Sequence, residues 1–149
     1  MDKVRLGVVG YGNMGTSHCK NVGAGKVPNM ELGAICDCSE ARRNVAKENH
    51  GDVAIFDNAT DLFKSGLCDV VIIATPHYDH PRLVEEAFSY GLNVITEKPA
   101  GVYTKKVREM NELAESKPHL VFGMMFNQRT NPVYRKMYEL VHSGKYGEI

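Results

Sequence analysis

The sequence has no net charge, no long hydrophobic run and no cysteine spacing typical of a zinc site. Its 149 residues contain 18 Lys and Arg against 18 Asp and Glu. A domain built mainly to bind nucleic acid carries a clear basic excess, so we expect no nucleic-acid partner. The longest apolar run, residues 70–74, is too short for a signal-peptide core or a membrane span. We therefore expect a soluble, cytoplasmic protein without membrane contact.

The chain has four cysteines, at Cys19, Cys36, Cys38 and Cys68. Cys36 and Cys38 form a C-x-C pair, but no second pair stands at the spacing of a zinc site. Reduced thiols that fill core and loop positions, as in cytosolic proteins, account for this pattern. We therefore expect neither a metal site nor disulfides.

Short apolar segments alternate along the chain with longer amphipathic ones. Apolar residues make up 43% of the chain and charged residues 24%, which is a globular composition, and the length fits about one domain. The pattern predicts six strands, at residues 4–9, 31–36, 53–56, 70–74, 92–96 and 119–123. It predicts six helices, at residues 13–23, 39–49, 60–65, 81–90, 104–116 and 132–143. Asn13 and Ser39 are the residues expected to cap the first two helices.

This alternation predicts the fold class. Strands that are apolar at nearly every position are typical of a parallel sheet covered on both faces. Right-handed crossovers then give an α/β, doubly wound parallel sheet of six or more strands. The pattern breaks after the sixth strand, so we expect one domain over residues 1–126 and a crossover segment with a helix over residues 127–149.

The sharpest local signal is the G-x-G-x-x-G sequence of residues 10–15. It follows a predicted buried strand and opens a predicted helix, which is the context of a dinucleotide-binding turn. The first glycine permits the tight turn, the second lets the backbone approach a pyrophosphate, and the third lets the helix pack closely. The ligand's negative charge would lie over unpaired N–H groups at the helix N-terminus. The alternative is a merely structural glycine turn.

An acidic residue, Asp37, follows the second strand, 22 residues after Gly15. A carboxylate there accepts hydrogen bonds from ribose hydroxyls and repels a 2′-phosphate, which favours NAD over NADP. Asp37 could instead serve the start of the next helix. NADP also stays possible, because the guanidinium of Arg42 or Arg43 could hold a 2′-phosphate.

Two further polar clusters follow the fourth and fifth strands, at the sheet edge where this fold binds its ligand. Residues 75–77 and His80 follow the fourth strand, and residues 97–99 follow the fifth. Lys98 could donate a hydrogen bond to a substrate hydroxyl and ease its deprotonation as hydride leaves. The alternatives are a surface lysine at a strand end and histidines that act as caps or as satisfied polar residues.

The chain resembles the N-terminal half of the Gfo/Idh/MocA oxidoreductase family, named after glucose–fructose oxidoreductase and inositol dehydrogenase. The segments that carry the resemblance are VRLGVVGYGNMG, AICD, ATPHYDHPRL, GLNVITEKPA and FNQRTNPVYRKMYELVHSGKYGEI, and EKP is the most diagnostic part. The resemblance implies a Rossmann fold and an NAD(P)-dependent oxidoreductase. It also implies that the substrate is a sugar, a cyclic polyol or a related alcohol or carbonyl compound.

The resemblance assigns roles on the adenosine side of the cofactor. Asp37 is expected to hold the adenosine ribose. The pyrophosphate is expected to lie against six consecutive residues of the glycine-rich turn: Gly10, Tyr11, Gly12, Asn13, Met14 and Gly15.

On the nicotinamide side, the resemblance places Thr75, Pro76 and His77 along the ring, although His77 stands where asparagine is often found. His80 is expected at the edge of the cleft, and Glu97 is expected to contact the nicotinamide ribose.

The remaining roles concern the reaction itself and the exit from the domain. Lys98 is expected to be the catalytic residue, binding the reacting oxygen of the substrate as well as lying against the cofactor. Pro99 is expected to follow a cis peptide. Asn127 is expected to begin the segment that leads across the cleft.

Family members continue beyond the end of this resemblance into a substrate domain, which supplies the rest of the pocket and a further acid–base group. We expect that second domain to be missing here and the 149-residue chain to be catalytically incomplete. A homo-oligomer is possible, but its usual interface belongs to the missing part. The alternative function is a non-catalytic module that senses a dinucleotide or binds a partner.

Overall fold

A computed structural model describes residues 3–148, which form a six-stranded sheet flanked by helices. The strands are β1 (Val4–Val9), β2 (Met30–Cys36), β3 (Ala54–Phe56), β4 (Val70–Ile73), β5 (Asn93–Thr96) and β6 (Phe122–Met124). The helices are α1 (Asn13–Gly23), α2 (Glu40–His50), α3 (Ala59–Lys64), α4 (His80–Ser89), α5 (Thr104–Glu115), α6 (Asn127–Thr130) and α7 (Pro132–His142). The strand order is β3-β2-β1-β4-β5-β6, and every neighbouring pair is parallel. The predicted doubly wound parallel sheet is confirmed.

Alternate strand side chains face two separate cores. Leu6 and Val8 of β1 and Ile72 of β4 pack with α1 and α2 on one face of the sheet. Val71 and Ile73 of β4 pack with α3, α4 and α5 on the opposite face. Each central strand therefore buries both of its faces, which explains why these strands are apolar at nearly every position.

The largest differences from the predicted elements lie at the sixth strand and directly after it. The sequence predicts the sixth strand at residues 119–123, whereas β6 begins at Phe122. Leu120 is held in a turn instead, because its N–H donates to the Lys117 carbonyl oxygen (2.9 Å). The short helix α6 was not predicted, since a single turn of four residues gives no periodic signal.

The expected helix caps are also wrong in part. The N-cap of α1 is Gly12 rather than Asn13, and it offers no side chain. Ser39 does occupy the N-cap of α2, but its hydroxyl makes no capping bond. Its N–H is bound by the Asp37 carboxylate instead (2.8 Å).

Helix α7 lies outside both cores. None of its residues is buried, and its exposed apolar side chains are Val133, Tyr134, Met137, Tyr138, Leu140 and Val141. An isolated helix of this length is marginal in water, so most of the stability of such a helix comes from packing of its apolar face. Within residues 3–148, none of the helices combines the length and the apolar character needed to cross a membrane.

An ion pair joins β1 to the loop before β4 at the amino end of the sheet. Arg5 Nη2 lies 2.6 Å from Asp69 Oδ1, and Asp69 Oδ2 accepts from the Arg5 N–H (2.8 Å) and from Nε (3.1 Å). Arg5 Nη1 also donates to the Gly66 carbonyl oxygen (2.8 Å). The hydrogen bonds from the Arg5 side chain and backbone lower the pKa of Asp69.

A folded-state pKa below the unfolded value means that Asp69 stabilises the fold at neutral pH and loses this contribution as the pH falls through its folded pKa. We expect Asp69→Asn to lower the melting temperature near pH 7, and the difference from the wild type to shrink below about pH 4. Thermal unfolding followed by circular dichroism across this range measures the effect. The matched control is Asp52→Asn, because Asp52 is exposed. An equal loss at every pH would contradict the assignment.

Candidate functional site

The carboxyl ends of the central strands lie at the same level. Val9 pairs with Cys36 on one side and with Ile73 on the other, and Ile73 pairs with Thr96. The residues that follow these strands therefore lie side by side along one edge of the sheet. Between β1 and β4 the strand order reverses, which opens the crevice where doubly wound sheets bind ligands.

The first and third glycines of the turn are required by the fold. Gly10 has φ +97°, and a Cβ there would lie 2.7 Å from the Ala74 carbonyl oxygen. A Cβ on Gly15 would lie 1.8 Å from the Gly10 carbonyl oxygen. Helix α1 therefore touches the turn that leads into it, as close helix–strand packing requires.

The second glycine is not required by the fold. Gly12 has an extended conformation (φ −82°), and the nearest atom to an added Cβ is Arg42 Nη1, at 3.9 Å. The first bond of α1 runs from the Thr16 N–H to the Gly12 carbonyl oxygen, so the N–H groups before Thr16 have no partner within the helix. No side chain of the described residues caps them. Open space beside unpaired N–H groups fits the diphosphate of a dinucleotide.

Asp37 is fixed beside this turn. Its side chain is 4% exposed, and its two oxygens accept from the N–H groups of Tyr11 (2.7 Å) and Ser39 (2.8 Å). Arg42 Nη1 lies 3.6 Å from Asp37 Oδ2. The carboxylate therefore joins the glycine turn to the start of α2. A carboxylate oxygen has the capacity to accept two hydrogen bonds, so Asp37 retains acceptor capacity for a ribose hydroxyl.

The two arginines beside Asp37 have different roles. Arg43 Nη1 donates to the carbonyl oxygens of Asp37 (2.9 Å) and Cys38 (2.8 Å), so it holds the backbone of this loop. Arg42 is 58% exposed and lies over the carboxylate. Of this pair, Arg42 is therefore the guanidinium nearer to a ligand at Asp37.

The Tyr11 side chain turns away from the edge. It is buried, and its hydroxyl lies 3.0 Å from His50 Nε2 and accepts from Asn49 Nδ2 (3.3 Å). Burial lowers the pKa of His50. The turn therefore presents the backbone of Tyr11 to the edge and keeps its ring in the core, whereas Asn13 and Met14 are exposed on the first turn of α1.

The residues after β4 divide into exposed and buried ones. Pro76 and His77 are exposed. Thr75 Oγ1 is buried, and it is the one buried side-chain polar atom of the described residues that has no hydrogen-bond partner. An unpaired buried hydroxyl is costly, so Thr75 Oγ1 is a candidate to hydrogen-bond a group that binds at this edge.

His80 is fully buried behind this edge. Its Nδ1 lies 2.8 Å from the Pro99 carbonyl oxygen, and its Nε2 lies 2.9 Å from the Thr75 carbonyl oxygen. Both ring nitrogens face backbone oxygens, and neither is left free for a ligand. The geometry places His80 as a link between the loops after β4 and β5 rather than on the surface of the cleft.

Glu97, Lys98 and Pro99 follow β5. Lys98 is exposed, and the Lys98–Pro99 peptide is cis, as predicted. The Glu97 side chain is 7% exposed, and its Oε1 lies 2.8 Å from Nε2 of His18. Sequence reasoning missed His18. The position of His18 could have indicated this contact. His18 follows Gly15 by three residues on α1 and therefore lies on the helix face that packs against the turn.

Asn127 is exposed at the first position of α6, beyond β6. The edge therefore brings together the glycine turn, Asp37, Thr75, Glu97 and Lys98, while Asn127 lies outside the paired strands. The described residues contain no group of three or more His, Cys, Asp or Glu side chains that could hold a metal.

Comparison with known proteins gives consistent matches. The family model described as "Oxidoreductase family, NAD-binding Rossmann fold" matches residues 4–124. Inositol 2-dehydrogenase of Corynebacterium glutamicum strain R is 31% identical over 98% of the chain, which covers 43% of that relative. Rhizopine catabolism protein MocA of Rhizobium meliloti is 30% identical over 100% of the chain, which covers 45% of that relative.

Solved structures show the same relation. The chain superposes with a TM-score of 0.91 on scyllo-inositol dehydrogenase from Lactobacillus casei with bound NAD(H) and scyllo-inositol, at 28% identity. It superposes with a TM-score of 0.92 on myo-inositol 2-dehydrogenase from Lactobacillus plantarum, also at 28% identity. The matched region spans 98% and 99% of this chain, respectively, but only 43% of each of those two chains. The chain belongs to the Gfo/Idh/MocA oxidoreductase family and carries its NAD-binding Rossmann fold.

Proposed function

We propose that residues 1–126 form the NAD(H)-binding domain of an oxidoreductase that acts on a cyclic polyol, a sugar or a related alcohol or carbonyl compound. The observation that carries the proposal is the free space at Gly12 beside the unpaired N–H groups of α1. No closer atom of the described residues fills that space, whereas a diphosphate would fill it. The family and the matched structure with bound NAD(H) support the same cofactor.

Each residue of the edge has a role in this proposal. The N–H groups at the start of α1 bind the diphosphate, Asp37 accepts the adenosine ribose hydroxyls, and Glu97 accepts those of the nicotinamide ribose. Thr75 Oγ1, Pro76 and His77 lie along the nicotinamide side. NAD supplies a hydride acceptor when it is bound. Lys98, which is exposed beside Glu97, donates a hydrogen bond to the reacting oxygen of the substrate and stabilises the negative charge that develops there, while the proton passes to an acid–base group of the second domain.

The substrate class rests on the relatives. Those matched here include inositol 2-dehydrogenases, and one matched structure contains scyllo-inositol. A cyclic polyol presents secondary hydroxyls, and the Lys98 ammonium has three donors to bind one of them.

We further propose that residues 127–149 lead to a second domain that completes the substrate pocket. The chain spans about 43% of the length of the relatives it matches. The apolar face of α7 is exposed, as expected of a helix that packs against such a domain. The same face also suits a non-catalytic module that binds a partner protein. The presence of Glu97 and Lys98 together favours the oxidoreductase, because a sensor has no evident need of both.

The diphosphate site can be tested at Gly12. We expect Gly12→Ala to lower NADH affinity at least about tenfold, or 1.4 kcal/mol, because the methyl group would occupy the space of the diphosphate. The melting temperature should stay unchanged, since an alanine there contacts only Arg42 Nη1 at 3.9 Å. Isothermal titration calorimetry and thermal unfolding measure the two quantities.

The control for this test is Gly123→Ala, which makes the same chemical change in β6, where an added Cβ meets nothing within 4 Å. It should leave NADH affinity unchanged. Full affinity in Gly12→Ala would show that no diphosphate binds at this turn.

The choice between the two cofactors depends on Asp37 and Arg42. We expect NADH to bind more tightly than NADPH, because the buried Asp37 carboxylate repels a 2′-phosphate and Arg43 is engaged with backbone carbonyls. Arg42→Ala should weaken NADPH further and leave NADH affinity nearly unchanged. Competitive titration of both cofactors measures the ratio, and tighter binding of NADPH would reverse the assignment.

Catalysis by the 149-residue chain alone is expected to be negligible. Positioning of the substrate carbon against the cofactor can lower a barrier by about 7–11 kcal/mol, and one wall of a pocket provides little of it. NADH formation from NAD and myo-inositol, followed by absorbance, tests this. Steady turnover by the purified chain would contradict the proposal that it is catalytically incomplete.

Lys98→Ala should change NADH affinity by no more than about twofold, since Lys98 acts on the substrate.

A further inference from the structure

We propose that His18 is a positioning residue that orients the Glu97 carboxylate toward the hydroxyls of the nicotinamide ribose. This inference rests on the proposed NAD(H) site and extends it to a residue outside the glycine turn and the strand ends. The contact that motivates it joins α1 to the end of β5, two elements that are not neighbours in the chain.

The geometry fixes one carboxylate oxygen and leaves the other available. His18 Nε2 lies 2.8 Å from Glu97 Oε1, and no other side chain of residues 3–148 hydrogen-bonds this carboxylate. The Glu97 backbone is held as well, because its N–H donates to the Ile73 carbonyl oxygen (2.9 Å). Oε2 therefore keeps its acceptor capacity for hydroxyl groups of a ligand.

Burial of the Glu97 carboxylate explains why its hydrogen bond with His18 matters. The Glu97 side chain is 7% exposed, and a carboxylate that is largely removed from water needs a hydrogen-bond donor to remain in a fixed orientation. His18 is 19% exposed, so the ring that holds this carboxylate is itself largely removed from water. Without this donor, Glu97 would rotate toward water and lose its alignment with the cleft.

The same helix thereby serves both halves of the dinucleotide. The N-terminal N–H groups of α1 would bind the diphosphate, and His18 on its second turn reaches the carboxylate that would bind the distal ribose. Because Gly15 sets α1 firmly against the glycine turn, the His18 ring has a fixed distance to the end of β5. A rigid helix can therefore define the separation of the two binding groups.

The test uses three ligands that differ at the distal ribose. ADP ends at the diphosphate, ADP-ribose adds the distal ribose, and NADH adds both the ribose and the nicotinamide. We expect His18→Phe, which keeps the ring volume and removes the donor, to weaken ADP-ribose and NADH by roughly tenfold. ADP affinity should stay within about twofold of the wild type, because ADP does not reach Glu97.

Two variants serve as controls. His18→Gln retains a donor of similar reach and should restore most of the affinity for ADP-ribose. Ser17→Ala alters the neighbouring exposed position of α1 and should change none of the three affinities. Calorimetric titration of each variant, together with its melting temperature, completes the set.

The outcomes separate this inference from the proposed function. An equal loss for all three ligands, or no loss for any, would overturn the positioning role. If the wild type does not bind NADH, the proposed function itself fails. Should His18→Phe not fold, His18→Leu, which also lacks a hydrogen-bond donor, takes its place in the same titrations. A loss confined to ADP-ribose and NADH then supports the positioning role, and an equal loss for ADP, or no loss, overturns it.

Discussion

The contact between Gly15 and the Gly10 carbonyl oxygen determines where the rest of the site lies. A Cβ at Gly15 would overlap that oxygen, so only glycine lets α1 begin directly against the turn after β1. The position of α1 in turn places its unpaired N–H groups at the crevice and brings His18 to Glu97. A shift of this helix would therefore alter both ends of the proposed dinucleotide site.

Contacts within the fold account for the identity of some residues at this edge but not of others. Gly10, Gly15 and His80 are explained by the fold, because each has a close contact or a pair of hydrogen bonds within the chain. Gly12 and the Thr75 hydroxyl are not, because one has free space beside it and the other lacks a partner. Features that the fold leaves unexplained are the ones that carry functional information.

Burial is uneven between the sheet and the end of the chain. The strands bury both faces in two cores, whereas α7 buries none of its residues. The proposed cofactor site therefore lies on a well-packed body that can hold its groups in place. On the side proposed to meet the substrate, the described residues contribute Lys98 and the loops after β4 and β5. An exposed α7 agrees with a chain that covers 43% of the length of the matched inositol 2-dehydrogenase.

The sequence by itself determined the strand and helix alternation, the parallel sheet and the identity of the glycine turn, because these depend on local periodicity and on glycine at fixed spacing. It also singled out Asp37, Glu97 and Lys98 by their places after strands. Only the tertiary structure decided that the Tyr11 ring is buried, that His80 links two loops, and that His18 contacts Glu97. Those facts depend on contacts between residues far apart in the chain, and local periodicity contains no information about such contacts.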